Sequence, residues 1–279
     1  MDAVTFFGLE RVDDLRWRMP VVRGLISGTG ALFGGCGLGA AIEIAERATG
    51  RPCVWATAQY LSFARPPSVL ELDVTEVVRG HKISQVRVTA HVGDAEILTV
   101  LGAFGHRPEV PLGGQWAVMP DVPPPGDCPP RPLMQHQRGT IADRIETRLA
   151  LGRPHWELPG PPGPGTSALW IRLPGLLETS AAALAIVGDF VPFGISQALG
   201  RRAGGQSLDN TLRVADRAQT EWVLADVRVH AVHDGFGHGL VHLWTPGGTL
   251  LATASQSIRV RAWREPGEAL TELEGEVTR

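Results

Sequence analysis

Between residues 69 and 92 the chain alternates apolar and polar positions with a period of two. Leu70-Glu71-Leu72-Asp73-Val74-Thr75 and Ser84-Gln85-Val86-Arg87-Val88-Thr89 put every second side chain on one face, the signature of strands buried on one side and wet on the other. The pattern predicts strands over 54–64, 69–79, 82–92 and 97–105, the last entered through the turn Gly93-Asp94. Residues 32–48 read differently. Gly34-Gly35-Cys36-Gly37-Leu38-Gly39-Ala40-Ala41-Ile42-Glu43-Ile44-Ala45 is small on all sides and then helix-like. Such a surface suits a helix lying close against a sheet, although each glycine weakens the helix by about 1 kcal/mol relative to alanine.

The order recurs further along. A strand is predicted at 169–172, an apolar helix start at 180–187 and a break at Gly204-Gly205. Strands follow at 207–214, 221–231 and 237–243, and the turn Thr245-Pro246-Gly247-Gly248 leads to a last strand at 250–261. Between the two series lies a proline-rich stretch, 108–165, with Pro123-Pro124-Pro125, Pro129-Pro130 and Pro159-Gly160-Pro161-Pro162-Gly163-Pro164-Gly165. Proline fixes φ and removes a backbone donor, so this stretch reads as a connection, interrupted by one short helix over 140–150. So long a connection is uncommon inside one compact domain. The expected organisation is therefore a first domain at 1–107, a linker at 108–165, a second domain at 166–265 and a tail at 266–279. The repeat is far longer than that of a solenoid, which indicates duplication of a whole α+β domain with a mostly antiparallel sheet.

Composition narrows the classes. With 43% hydrophobic and 20% charged residues among 279, the chain is too apolar for disorder. A net charge of -3 and a pI near 6.3 argue against a nucleic-acid partner held by phosphate contacts. No uninterrupted apolar run reaches the length of about 18 expected of a membrane span. Met1-Asp2-Ala3-Val4-Thr5 lacks the basic-then-apolar order of a secretory signal. Cys36, Cys53 and Cys128 cannot all pair and match no zinc spacing, so a reducing, cytoplasmic setting without a bound metal is expected.

Local residues point to a family. Phe33-Gly34-Gly35, Phe63-Ala64-Arg65-Pro66 and the run from Arg79-Gly80 to Arg87-Val88 occur in the first half. Trp170-Ile171-Arg172, Gly188-Asp189-Phe190, Ser207-Leu208-Asp209-Asn210 and Ala254-Ser255-Gln256 occur in the second. In that order they resemble the TesB-like, thioesterase II type acyl-CoA thioesterases. The resemblance implies a tandem (double) hotdog, each unit a curved antiparallel sheet wrapped around one central helix. It also implies hydrolysis of an acyl-CoA substrate to free acid and CoA, without a cofactor. Carried over by motif, an attacking water would be oriented by Asp189, Ser207 and Gln256, with Asp209 and Asn210 in support. The family has histidine where Asn210 stands and serine where Gly188 stands. Hotdog sheets pair through their edges, so a homo-oligomer is a further expectation.

Each residue has a plainer reading beside this one: Gln256 as an outward-facing strand residue, Ser207 as a turn serine, Asp189 as a helix cap. The repeat bears on the choice. Aligning residues 63–65 with 214–216 sets Ala56 against Ser207 and Ala58 against Asp209; the last strands set Ala103 against Gln256, and the helix starts set Gly34-Gly35 against Asp189. The first copy is apolar wherever the second is polar, which favours a site in the second half. Two other functions compete. One is a non-catalytic acyl-binding protein on the same fold. The other is an enoyl-thioester hydratase, whose histidine position is Gly194 here, leaving it one proton-transfer group short. His230, His233, His238 and His242 fall in one hairpin, with His230 and His242 expected across from each other. They alternate faces and end at a solvent-facing turn, so exposure is expected rather than metal binding.

Overall fold

The structure is a computed structural model that describes residues 1–110, 112–176 and 179–262; the predicted tail at 266–279 lies outside them. Helix α1 (Ala3–Phe7) leads into strands β1 (Glu10–Arg11) and β2 (Arg16–Val21). β2 follows the period-two rule with Trp17, Met19 and Val21 buried and Arg16 and Arg18 exposed. Helix α2 (Gly34–Thr49) precedes β3 (Cys53–Tyr60), β4 (Ser68–Arg79), β5 (Ile83–Val92) and β6 (Ala95–Gly105). The second series comprises β7 (Glu146–Leu151), β8 (Thr166–Arg172), α3 (Ala181–Val187), α4 (Val191–Leu199), β9 (Ala203–Ser207), β10 (Asp209–Val214), β11 (Val223–His233), β12 (Phe236–Trp244) and β13 (Leu250–Ala262).

All strand pairs are antiparallel, and the strands join into one sheet in the order β1-β2-β4-β5-β6-β3-β10-β13-β12-β11-β8-β7, with β9 beside β13. The halves meet where β3 pairs β10. There Thr57 lies opposite Thr211, with Ala56–Leu212 and Ala58–Asn210 symmetrically on either side. The two threonine hydroxyls are 2.7 Å apart and share a hydrogen bond. The result is the tandem hotdog, with α2 and α4 as the helices wrapped by sheet.

Glycine makes the close packing of α2 possible. A Cβ on Gly35 would lie 2.7 Å from the Ala185 carbonyl oxygen, and one on Gly39 would lie 2.8 Å from that of Ala182. One turn apart on the same face, these glycines let α3 lie against the α2 backbone. Segment 181–199 is long and apolar enough for a membrane span by composition, yet it is two helices broken at 188–190, with 67% of the window buried in protein.

Three sequence expectations change. The helix expected over 140–150 is a 3-10 turn, Ile141–Arg144, capped by the Thr140 hydroxyl, followed by β7 on the open edge of β8. Edge pairing satisfies the backbone there, which local helix propensity does not anticipate. The proline-rich stretch is also more than a tether. The Trp170 indole N–H donates to the Pro123 carbonyl at 2.8 Å, and Cys128 buries with Ala168, Trp170, Leu224 and Trp244 in a second, smaller core. Finally, Gly204-Gly205 is no break but the middle of β9, where a Cβ on Gly205 would stand 2.8 Å from the Arg259 carbonyl. The strand expected over 207–214 is accordingly two, divided at Leu208.

Candidate active site

Asp189 sits between α3 and α4 and is 5% exposed. Its carboxylate leaves its own half. Oδ2 accepts the Gly35 N–H at 2.7 Å, in the first turn of α2, whose N-cap residue Phe33 offers no side-chain cap. Asp189 thus does cap a helix, but the helix of the other hotdog, where the macrodipole favours negative charge.

Its other oxygen, Oδ1, accepts a hydrogen bond from the Gln256 amide, Nε2. Gln256 is 2% exposed, so the outward-facing reading fails. It shares the buried face of β13 with Ala254 and Ile258 and pairs with Gly239 of β12 on one side. Ile258 pairs with Ser207 and Ser255 with Thr211, which leaves Gln256 opposite the break. Nε2 also donates to Ser207 Oγ at 3.1 Å, and Oε1 accepts the Val191 N–H, the first of α4, at 3.1 Å. Every polar atom of the amide is engaged, which fixes its orientation. Asp189, Ser207 and Gln256 therefore form one connected network, with Gln256 at its centre.

The supporting pair behaves otherwise. Asp209 Oδ1 accepts the Ser257 N–H at 2.8 Å, spanning the strand break rather than touching Asp189. Asn210 is 1% exposed, opposite Ala58, and both atoms of its amide are buried without a hydrogen-bond partner.

Burial dominates the electrostatics. It pushes the Asp189 carboxyl up to about 7, against the opposing pull of the Gly35 and Gln256 hydrogen bonds. Tyr60 stands beside it, its hydroxyl buried near the Asn210 amide but without a well-formed hydrogen bond. Burial first, then the Asp189 and Asp209 charges, raise this phenol well above its ordinary value, and the Asn210 amide opposes the rise. Gly34 leaves room between the two groups: a Cβ there would lie 2.9 Å from Asp189 Oδ2 and 2.9 Å from Tyr60 Oη. Sequence reasoning missed Tyr60, whose only signal is that it is the single tyrosine in the chain.

One departure from the family pattern, and one from the hydratase pattern, acquire physical reasons. A Cβ on Gly188 would meet the Ala254 Cβ at 2.8 Å, so a serine has no room there. A Cβ on Gly194 would meet Val227 Cγ1 at 2.5 Å, so a histidine at the hydratase position would drive into the sheet.

Two cavities flank Phe33. One of about 150 Å³ is lined by Phe33, Arg131, Leu133, Ile141, Ile145 and Phe190, among others; a smaller one of about 30 Å³ reaches Gly34, Tyr60 and Leu98. Arg51, which follows α2, is spoken for, donating to Ser84 Oγ and the Gly80 carbonyl. Arg65 is exposed and lies over the Phe63 ring. The hairpin histidines are not arranged as expected: His242 faces Asp226, and His230 sits in a bulge between Val229 and Ala231. No cluster of three metal-ligating side chains forms among the described residues.

The symmetry at Thr57 and Thr211 also corrects the internal alignment. Counting outward from that pair sets Cys53 in the place of Ser207, Trp55 of Asp209 and Ala56 of Asn210. On the neighbouring strands Leu101 pairs with Thr57 as Ser255 does with Thr211, which sets Gly102 in the place of Gln256. The individual partners shift, and the contrast holds. The strand residues of the first half at these positions carry no polar side chain beyond a buried thiol and an indole.

Residues 24–105 match the family model of the acyl-CoA thioesterase N-terminal domain, and 125–260 that of the C-terminal domain. A solved structure assigned as a thioesterase from Novosphingobium aromaticivorans is 34% identical with a TM-score of 0.80, covering 90% of this chain and 97% of that one. The acyl-CoA thioesterase II TesB2 of Mycobacterium marinum superimposes at 0.74 with 21% identity, covering 93% and 98%. A hot dog fold protein from Alicyclobacillus acidocaldarius does so at 0.79 with 20%, covering 94% and 98%. No curated protein matches the sequence. The chain belongs to the TesB-like, thioesterase II type family of acyl-CoA thioesterases and is a thioester hydrolase.

Proposed function

We propose that the protein hydrolyses acyl-CoA by attack of a water held between Asp189 and the start of α2. Asp189 is the general base. With a carboxyl poised near 7 it is ionised in about half the molecules at neutral pH, and strong enough as a base to take a proton from water as the oxygen adds to the thioester carbon. The C–S bond then breaks, and the same proton passes to the departing CoA thiolate. A thioester carbonyl is electrophilic enough for an oriented water to react without a covalent enzyme intermediate.

The observation that carries this reading is the Gln256 amide. By donating to Asp189 and Ser207 and accepting from Val191, it holds the carboxylate with Oδ2 turned toward the gap beside Gly34. Ser207 accepts from Gln256, which leaves its own proton free to hold the water or the substrate. The Gly34 N–H at the start of α2, aided by the helix dipole, would steady the developing oxyanion, and Tyr60 Oη offers a second donor across the same gap.

Thiol release from acyl-CoA by the protein and by Gln256→Ala tests this. Truncation leaves the Val191 N–H unpaired and Asp189 with only its Gly35 hydrogen bond, and turnover should fall about 100-fold or more. Wild-type turnover in Gln256→Ala would overturn the mechanism.

A further inference from the structure

The 150 Å³ cavity is lined by Phe33 and Phe190, the residues adjoining Gly34 and Asp189. Its walls are mostly apolar, but one lining residue is a cation. Arg131 comes from the proline-rich stretch and is anchored by its backbone N–H on the Thr147 carbonyl at 2.9 Å. Its guanidinium lies over the Phe193 ring at 5.4 Å. Among the described residues no carboxylate comes within ion-pair distance of it, and its side chain makes no hydrogen bond to protein. The other arginines drawn into the interior differ: Arg144 donates to the Phe6 carbonyl and Arg148 to Glu146 and the Pro125 carbonyl. Burial alone lowers the Arg131 proton affinity, with no charge near enough to oppose it, and an arginine remains a cation even so. A ring face attracts such a cation but cannot satisfy five N–H donors. A desolvated guanidinium facing an apolar cavity is arranged to meet an anion or a strong acceptor.

Two parts of an acyl-CoA carry such groups: the phosphates of CoA and the far end of the acyl chain. The phosphates lie the whole length of the pantetheine arm from the thioester. Arg131 instead lines the same cavity as the neighbours of Asp189. The cavity matches in size one that admits a benzene molecule, about six heavy atoms.

Resting on the thioesterase reading, we infer that this cavity receives the acyl group and that Arg131 selects short acyl-CoAs bearing a carboxylate at the distal end. A five-carbon dicarboxylate half-thioester fits: beyond its thioester carbon it has four carbons and two oxygens. The bidentate match of guanidinium and carboxylate supplies the recognition.

The test compares glutaryl-CoA with pentanoyl-CoA, equal in chain length, on wild type and Arg131→Met. Wild type should favour glutaryl-CoA in kcat/KM, and the variant should lower the glutaryl-to-pentanoyl ratio at least tenfold. An equal loss on both substrates would assign Arg131 to CoA itself, and a wild-type preference for pentanoyl-CoA would assign the cavity to plain acyl chains. Either outcome overturns the inference. Binding of the two thioesters by calorimetry, in Asp189→Asn with and without Arg131→Met, separates this from catalysis. Selective binding of glutaryl-CoA that disappears with Arg131→Met sustains the inference even if no turnover is found, whereas hydrolysis without selectivity sustains only the thioesterase reading.

Discussion

Replacing Asp189 with asparagine should raise stability at alkaline pH while abolishing turnover. The carboxyl is held at about 7 in the folded protein against an ordinary value of 3.8. A raised acid binds its proton more tightly when folded, so its contribution is fully present below about 4 and is lost as pH rises to the folded value. A gap of roughly three pH units at 1.36 kcal/mol each makes the loss about 4 kcal/mol above pH 7. Asparagine carries no charge and escapes it. It has its own conflict, however: one face must accept the Gly35 N–H, and the other then opposes one amide N–H2 to another at Gln256. That lost bond costs roughly 1–2 kcal/mol. The variant should therefore gain about 2–3 kcal/mol at pH 8.5 and show no gain at pH 4.5, a difference of several degrees in thermal midpoint. Thermal unfolding followed by circular dichroism at the two pH values measures it. In parallel, wild-type kcat/KM should fall tenfold per pH unit below about 7 and level off above, as a base of that strength requires. A variant equally destabilised at both pH values, or a flat rate profile from pH 5 to 9, would refute the buried ionised base.

Tyr60→Phe removes a buried hydroxyl without a well-formed hydrogen bond; thermal midpoint should hold, the relieved desolvation of about 1–3 kcal/mol offsetting the loss of its Asn210 neighbour, while thiol release drops about tenfold or more through loss of a donor. Gly34→Ala and Gly35→Ala should separate chemistry from folding. The first places a methyl 2.9 Å from Asp189 Oδ2 and Tyr60 Oη, and should fold yet lose turnover at least 100-fold. The second meets the backbone of Ala185 and Ile186 at 2.7 and 2.8 Å, and should lower the thermal midpoint sharply.

Strands with one wet face were readable because burial imposes alternation directly on the residues. β4, β5, β6, β11, β12 and β13 lie within two residues of where the alternation and turn residues put them. The turn between β11 and β12 is as legible, since Asp234 and Gly235 adopt the positive φ values that such a pair tolerates. β2 carried the same alternation in Trp17, Met19 and Val21, but Pro20 and its shortness disguised it. β7 and β9 were illegible for another reason. Their residues, Glu146-Thr147-Arg148 and Ala203-Gly204-Gly205, have weak preferences of their own, and the partner strand decides their conformation.

The candidate-site set was visible as residue types but its geometry was not. Asp189, Ser207 and Gln256 are far apart in sequence; the alternation of β13 turns Gln256 inward with Ala254 and Ile258, and the break at Leu208 sets Ser207 beside it. No local pattern announces such a break, because Ser207 to Val214 reads as one continuous strand. The duplication supplies the missing constraint. A symmetric pairing at Thr57 and Thr211 forces the first half to present Cys53, Trp55, Ala56 and Gly102 where the second presents Ser207, Asp209, Asn210 and Gln256. The first half contributes differently at the same joint: the start of α2, where Gly35 donates its N–H to Asp189 and Gly34 lies between Asp189 and Tyr60, and the phenol of Tyr60. Asp189 reaches across to cap that helix, so neither half holds the candidate site alone. A duplication that began with two equivalent surfaces has divided them, acid and amide on one side, backbone donors and phenol on the other.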